Sequence, residues 1–330
     1  MRSRRDHAIL RGAQAAAREL VMLNSPIGEP VDVFAAIDRA NLWLMFRPLE
    51  GMKGALCSAG SATGVLVNSN HPFYLQRFTA AHELGHYRLG HPPAVDLDGD
   101  DDKVDDPACA LSGAELEAES FASHFLMPPR AVRRAIGNAQ PSSPLDAYQA
   151  ALRLQVSYAA MVSRLLALKH ISYSRAREWR AIPPKQIKQS LTHGITGPLG
   201  QHNAWLVQDG SAEAYLSPAI GDEVHVFVKE QSAAGYAWRA NVSFDAPARE
   251  IASDSHFVEG HYGGPAERHI AYEIIESGCG HLVLSHSRSW EEHSEIGKLD
   301  ILLKVEGSVA ADDGHGLMHT QLDLLAARGR

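Results

Sequence analysis

Three residues in one short stretch could do chemistry together. In FTAAHELGHYRLGH, positions 78 to 91, His82 and His86 are four apart, so on a helix they project from one face and can share a metal ion. Glu83 lies beside the first histidine, where it can take a proton from a water activated at that metal. A third ligand must come from elsewhere in the chain. A metzincin would place histidine at 92 and glycine at 89, but these positions hold Pro92 and Leu89. His91 is one residue out of that register and suits the negative end of the helix dipole.

The element carrying His82 and His86 must be a helix, and its flanks agree. Phe78, Ala81, Gly85 and Leu89 form an apolar stripe, Pro72 suits a first turn, and Gly90 followed by Pro92 and Pro93 ends the run. Gly85 lets a neighbour approach closely beneath the metal. A second helix, SGAELEAESFASHFLMP, begins at Ser112 as N-cap, with Glu115 three residues later at capping-box spacing. Its apolar face runs through Ala118, Phe121, Ala122 and Phe125. At 3.6 residues per turn, Glu115 falls about 60° from the centre of that face and Glu119 about 100°. Glu117 lies a similar distance away on the opposite flank. A carboxylate so near a buried face needs a partner. A metal would provide one for Glu115, with Glu119 behind it, although a capping role for Glu115 and a ligand role for Glu117 both stay open. Two imidazoles and a carboxylate favour zinc, with manganese the other candidate. Tyr87, Arg77 and His124 are candidates to stabilise an oxyanion.

These two blocks, QRFTAAHELGHYRLGH followed by ELEAESFASHFLMP, resemble the ImmA/IrrE family of metallopeptidases over roughly residues 15 to 170. The resemblance implies a thermolysin-like minimal zincin fold, His82, His86 and Glu115 as ligands, and Glu83 as general base. It also implies a helix-turn-helix transcriptional repressor as substrate, cut in a stress, phage or mobile-element response. The helices of SPLDAYQAALRLQVSYAAMVSRLLALKH resemble the helix-turn-helix-like segment that often follows this core. Their second helix, opening at Ser157, offers only Tyr158, Arg164 and Lys169, which is thin for a DNA reader. A helical pair packed on the catalytic domain is the expectation, without direct DNA binding.

The texture changes beyond IPPKQIKQSLTHGITGPLGQ, a Pro, Gly and polar stretch that reads as a linker. Val224, Val226 and Val228 alternate with His225, Phe227 and Lys229, and Leu299, Ile301, Leu303 and Val305 alternate again. GDEVHVFVKEQSAAGYAW, GHYGGPAERH, SHSRSWEE and KLDILLKV, in that order, resemble the chagasin-like inhibitors of papain-type cysteine peptidases. That resemblance implies an immunoglobulin-like β-sandwich with three partner-binding loops. Gly235, Tyr236 and Trp238 fall on the first, Gly263 and Gly264 on the second, and Arg288 with Trp290 on the third. The family's Asn-Pro-Thr-Thr is Gln231, Ser232, Ala233 and Ala234 here, so threonine hydrogen bonds are lost. The histidines of this half are scattered singly and read as surface or polar core.

The fold expected is therefore α+β. Residues 1–197 make a metallopeptidase domain with its helical extension at about 130–180, residues 198–309 a β-sandwich, and 310–330 a tail. The 330 residues, 45% hydrophobic, exclude disorder and a disulfide mini-scaffold. No apolar run approaches the ~20 residues of a membrane helix. The basic start lacks the apolar segment of a secretory signal, and the three cysteines are widely spaced, so a cytoplasmic protein is expected. A net charge of −8 argues against a whole-protein nucleic-acid footprint. Asp96 to Asp106 lacks the glycine and terminal carboxylate of a calcium loop and reads as a solvated acidic loop. Cys109 reads as a loop cysteine without a redox role. The rival function is a protease-inhibitor or sensor protein whose metal domain does not cleave.

Overall fold

The computed structural model describes residues 4–24, 29–59, 62–92, 95–97, 113–137, 139–192, 202–208, 213–242, 247–257, 266–291 and 293–305. One compact unit lies within Met1–Arg180 and a second within Ala181–Ala310.

The first unit carries helices α1 (Arg4–Leu23) and α2 (Val33–Arg39), then strands β1 (Trp43–Arg47), β2 (Met52–Ala59) and β3 (Ala62–Asn68). Helix α3 (Phe73–Leu89), strand β4 (Val95–Leu97), and helices α4 (Gly113–Leu126), α5 (Pro129–Ala135), α6 (Pro144–Leu154), α7 (Tyr158–Ala167) and α8 (Tyr173–Arg180) follow. The sheet runs β1-β3-β2-β4, with β1 parallel to β3 and the other neighbours antiparallel. Val65 and Val67 of β3 are fully buried. β1 buries Leu44 and Phe46 between the less buried Trp43, Met45 and Arg47, although its sequence is apolar at four of five positions, and β2 lies between β3 and β4.

Helix α3 is the centre of this unit. Every residue from Ala80 to His86 is buried, which marks a core helix rather than one with a solvated face. Pro72 opens it and Gly90, at φ +71°, closes it in the left-handed conformation that suits glycine. α4 packs on α3 where a Cβ on Gly85 would stand 3.0 to 3.1 Å from the Phe121 side chain, the close approach the sequence suggested. α1 also packs on α4, closely enough that a Cβ on Gly12 would lie within 2.9 Å of the Phe121 backbone nitrogen.

α6 and α7 form the expected helical pair. Ser143 and Asp146 make a capping box for α6, Gln155 ends it at φ +52°, and Ser157 caps α7 by accepting from the Ala160 N–H. The side chains a DNA reader would present are turned inward. Tyr158 is buried and its hydroxyl donates to the Trp179 carbonyl at 3.0 Å, with burial pushing its pKa up to about 12. Arg164 is 3% exposed and donates from Nε to the Met127 carbonyl, and burial pulls it down to about 10. Lys169 alone of the three is exposed, in the turn before α8.

In the second unit, helix α9 (Pro184–Thr192) precedes strands β5 (Ala204–Gln208), β6 (Glu213–Leu216), β7 (Glu223–Glu230), β8 (Ala237–Val242), β9 (Ala248–Phe257), β10 (Ala266–Ile274), β11 (Gly278–Ser287) and β12 (Gly297–Val305). The stretch read as a linker thus contains a helix. Ile187 and Leu191 bury one face of α9, and Lys188 donates to the His202 carbonyl at 2.6 Å beside β5. Two four-stranded sheets run β5-β7-β10-β9 and β6-β12-β11-β8, with β5 parallel to β7, β6 parallel to β12 and the other neighbours antiparallel. Directly opposed residues on one face are both buried: Val226 with Ile270, Val224 with Tyr272, and in the other sheet Leu282 with Ile301 and Leu284 with Leu299. Each such side chain contributes roughly 1.5–3 kcal/mol of burial.

β7 also buries part of its other face. His225 and His269 are both essentially inaccessible; Nδ1 of His225 stands 3.0 Å from Nε2 of His269, and its Nε2 stands 3.0 Å from Glu223. These two histidines are therefore a paired polar core and not scattered single residues.

Candidate metal centre

Helix α3 delivers His82 and His86 one turn apart, 7% and 2% exposed, with their Nε2 atoms 3.0 Å from each other. Oε2 of Glu115, in the first turn of α4, stands 3.1 Å from Nε2 of His82 and 3.5 Å from Nε2 of His86. Among the described residues this is the group of three or more His, Cys, Asp or Glu side chains that could hold a metal, its ligand atoms lying within 4.8 Å of one another. Hydrogen bonding to His82 and then to His86 holds the Glu115 carboxyl well below the usual carboxylate range. The donor set fits a divalent cation. Two imidazole nitrogens and one anionic oxygen converge on a single point, and three protein ligands leave room for a water.

Glu83 is 1% exposed on the same helix turn as His82. Glu117 does not join the cluster. Its carboxylate takes a hydrogen bond from Arg11 and stands 3.0 Å from Nε2 of His91. Glu119 is half-buried one turn beyond Glu115. Ser112, the N-cap expected for this helix, lies outside the described residues, as do Cys109 and most of the acidic loop.

The three oxyanion candidates have other engagements. Arg77, 2% exposed, donates to the carbonyls of Leu154, Gln155 and Val31. His124 stands 2.8 Å from the Ser120 carbonyl through Nδ1, and burial, then the Arg164 charge, lowers its pKa. Tyr87 is partly exposed with the Arg88 guanidinium 5.8 Å from its ring centroid.

In the second unit, a 3₁₀ turn at Ser232–Ala234 brings the first candidate loop against the third. The Arg288 guanidinium lies 4.4 Å from the Tyr236 ring centroid and its Nε donates to the Ala234 carbonyl. A Cβ on Gly235 would meet the Trp290 ring at 2.4 Å, and Trp290 is 71% exposed. Trp238 is different. It is 8% exposed, stacks on His286, and donates from Nε1 to the Lys229 carbonyl, so it supports the loop from inside. Gly263 and Gly264 lie outside the described residues.

Residues 37–166 match the family Peptidase_M78, the IrrE N-terminal-like domain. A comparison with curated proteins gives no match. The C-terminal part is similar to several solved structures, one of them a cysteine protease inhibitor. The inhibitor EhICP2 of Entamoeba histolytica is 18% identical, over 33% of this chain and 100% of that one, with a TM-score of 0.30. Amebosin is 16% identical over 32% of this chain and 100% of its own, with a TM-score of 0.27. PbICP-C, solved in complex with falcipain-2, is 15% identical over 32% of this chain and 99% of that one, with a TM-score of 0.23. No described helix is long and apolar enough to cross a membrane.

Proposed function

With an IrrE N-terminal-like domain over residues 37–166 as the premise, we propose that the chain is a metal-dependent endopeptidase, with zinc the preferred ion and manganese the alternative. The observation that carries this reading is the convergence of His82, His86 and Glu115 beside a buried Glu83. A divalent cation held there supplies Lewis acidity, lowering the pKa of water toward ~7 and polarising a carbonyl. Glu83 takes the proton from the attacking water and delivers it to the leaving amine. Burial keeps Glu83 away from bulk water, on the same helix turn as His82. A purely structural site would need a fourth protein ligand and no neighbouring base.

The proposed substrate class is a helix-turn-helix transcriptional repressor, following the resemblance of the two sequence blocks. Mass spectrometry of the purified chain, wild type and Glu115→Ala, tests the ligand set. About one zinc or manganese per chain is expected in wild type and none in the variant. Incubating the loaded protein with such a repressor should give two fragments. A wild-type protein that takes up neither ion overturns the reading.

The sandwich is proposed to bind a protein partner through Tyr236, Arg288 and Trp290. Their support is physical: an aromatic-arginine patch with an exposed tryptophan is the composition of an interface anchor. If the partner is the substrate, Tyr236→Ala combined with Trp290→Ala should raise KM for the protein substrate about tenfold or more. Hydrolysis of short peptides should be unaltered. An unchanged KM would remove the sandwich from substrate recognition.

A further inference from the structure

His86 is backed by a chain of polar groups that runs from the metal cluster to the surface. Its Nδ1 stands 3.0 Å from Nδ1 of His91, and Nε2 of His91 stands 3.0 Å from Oε2 of Glu117. Arg11 closes the outer end, 2.9 Å from the Glu117 carboxylate and donating also to the Leu89 carbonyl. The side chains of His91 and Glu117 are 9% and 13% exposed and that of Arg11 is 58% exposed, so the chain leads from a buried imidazole to solvent.

We infer that His91, Glu117 and Arg11 are positioning residues that set the tautomer and orientation of His86 for metal binding. The inference rests on the metallopeptidase reading. For Nε2 of His86 to offer its lone pair to a cation, its proton must sit on Nδ1. That N–H then donates to Nδ1 of His91, which must be bare. The remaining proton of His91 sits on Nε2 and donates to Glu117. One tautomer of each ring satisfies every contact, and the carboxylate at the end makes both imidazoles better donors of electron density.

The fold builds this chain from three separated pieces. Gly90 turns the backbone at the end of α3, so the His91 N–H reaches back to the His86 carbonyl at 3.0 Å. The His91 ring then lies 5.0 Å from the His86 ring, at 70° to it. Glu117 comes from α4, two residues past the ligand Glu115. Arg11 comes from α1, which precedes the matched span of residues 37–166. It reaches Glu117 because its neighbour Gly12 has no side chain, and a Cβ there would fall inside contact distance of the Glu117 carbonyl oxygen.

The test is Zn2+ affinity of the full chain, measured by competition with a chromophoric chelator, together with melting of the metal-free protein. His91→Ala and Glu117→Ala should each weaken Zn2+ binding by about 10–100-fold. Glu117→Gln keeps an acceptor oxygen for the His91 N–H but not the charge, so it should recover part of that loss. The metal-free variants should melt within a few degrees of wild type, and the visible absorption of the Co2+-loaded protein should change in His91→Ala. Unaltered Zn2+ affinity in either alanine variant, or a loss that Glu117→Gln does not reduce, overturns the chain. A wild type that binds no Zn2+ instead overturns the metallopeptidase reading, and this inference with it.

Discussion

Glu83→Gln is expected to lower peptide-bond cleavage by about 10²–10⁴-fold while leaving the bound metal in place. The two side chains have nearly the same shape, so His82 and His86 on the same helix stay where they are. Only the ability to accept a proton is lost. Glu83 is 1% exposed, so bulk solvent has poor access to replace it. The check is kcat/KM on a cleaved substrate, read beside metal content and melting temperature of the same preparation. Wild-type turnover in the glutamine variant would remove Glu83 from the chemistry. A parallel loss of metal would give it a supporting role instead.

Arg77→Met should destabilise the first unit by roughly 3–5 kcal/mol without reducing turnover per folded molecule. Arg77 lies one and a half turns before His82, and its guanidinium donates to Leu154 at 2.9 Å, Gln155 at 2.8 Å and Val31 at 2.6 Å. The first two carbonyls end α6, where the last turn leaves acceptors without helical donors and the dipole favours a cation. The arginine therefore caps one helix, ties it to α3, and holds the segment entering α2. Methionine keeps much of the apolar stem but offers no donor to three carbonyls. Thermal unfolding should show a midpoint lower by about 10 °C or more. A midpoint near wild type with depressed turnover would return Arg77 to the catalytic candidates.

Both expectations begin with residues visible in the sequence, yet they were not equally legible there. HELGH has a spacing that only a helix turns into a shared site, and Pro72 and Gly90 delimit that helix through their own backbone restrictions. The period-two runs around Val224 and Leu299 specify strands in the same local way. These readings needed no partner. The first strands of the small sheet are harder to read, because β1 (WLMFR) is apolar at all but its last position and β2 lies inside the sheet between β3 and β4, so neither alternates polar with apolar in sequence. The polar composition of 182–201 masked α9, whose buried face holds just two aliphatic side chains, Ile187 and Leu191, beside Lys188 and Thr192.

The helix of HELGH, its two histidines, the adjacent glutamate, and the change from helical to extended texture after residue 200 are legible in the chain alone. Helical geometry and strand alternation are properties of neighbours in the chain, so local spacing is enough to reveal them. Tertiary structure alone decided among groups that the helical wheel leaves equivalent. Glu115 and Glu117 flank the same apolar face at similar angles. Packing of α4 between α3 and α1 turns the first toward His82 and the second toward His91 and Arg11. Packing likewise drew Arg77 into a capping role and Trp238 inside the sandwich. Arg11 and Glu117 are 106 residues apart, and no periodicity spans that distance. The contact exists because a glycine lets two helices come close enough for an arginine on one to reach a carboxylate on the other.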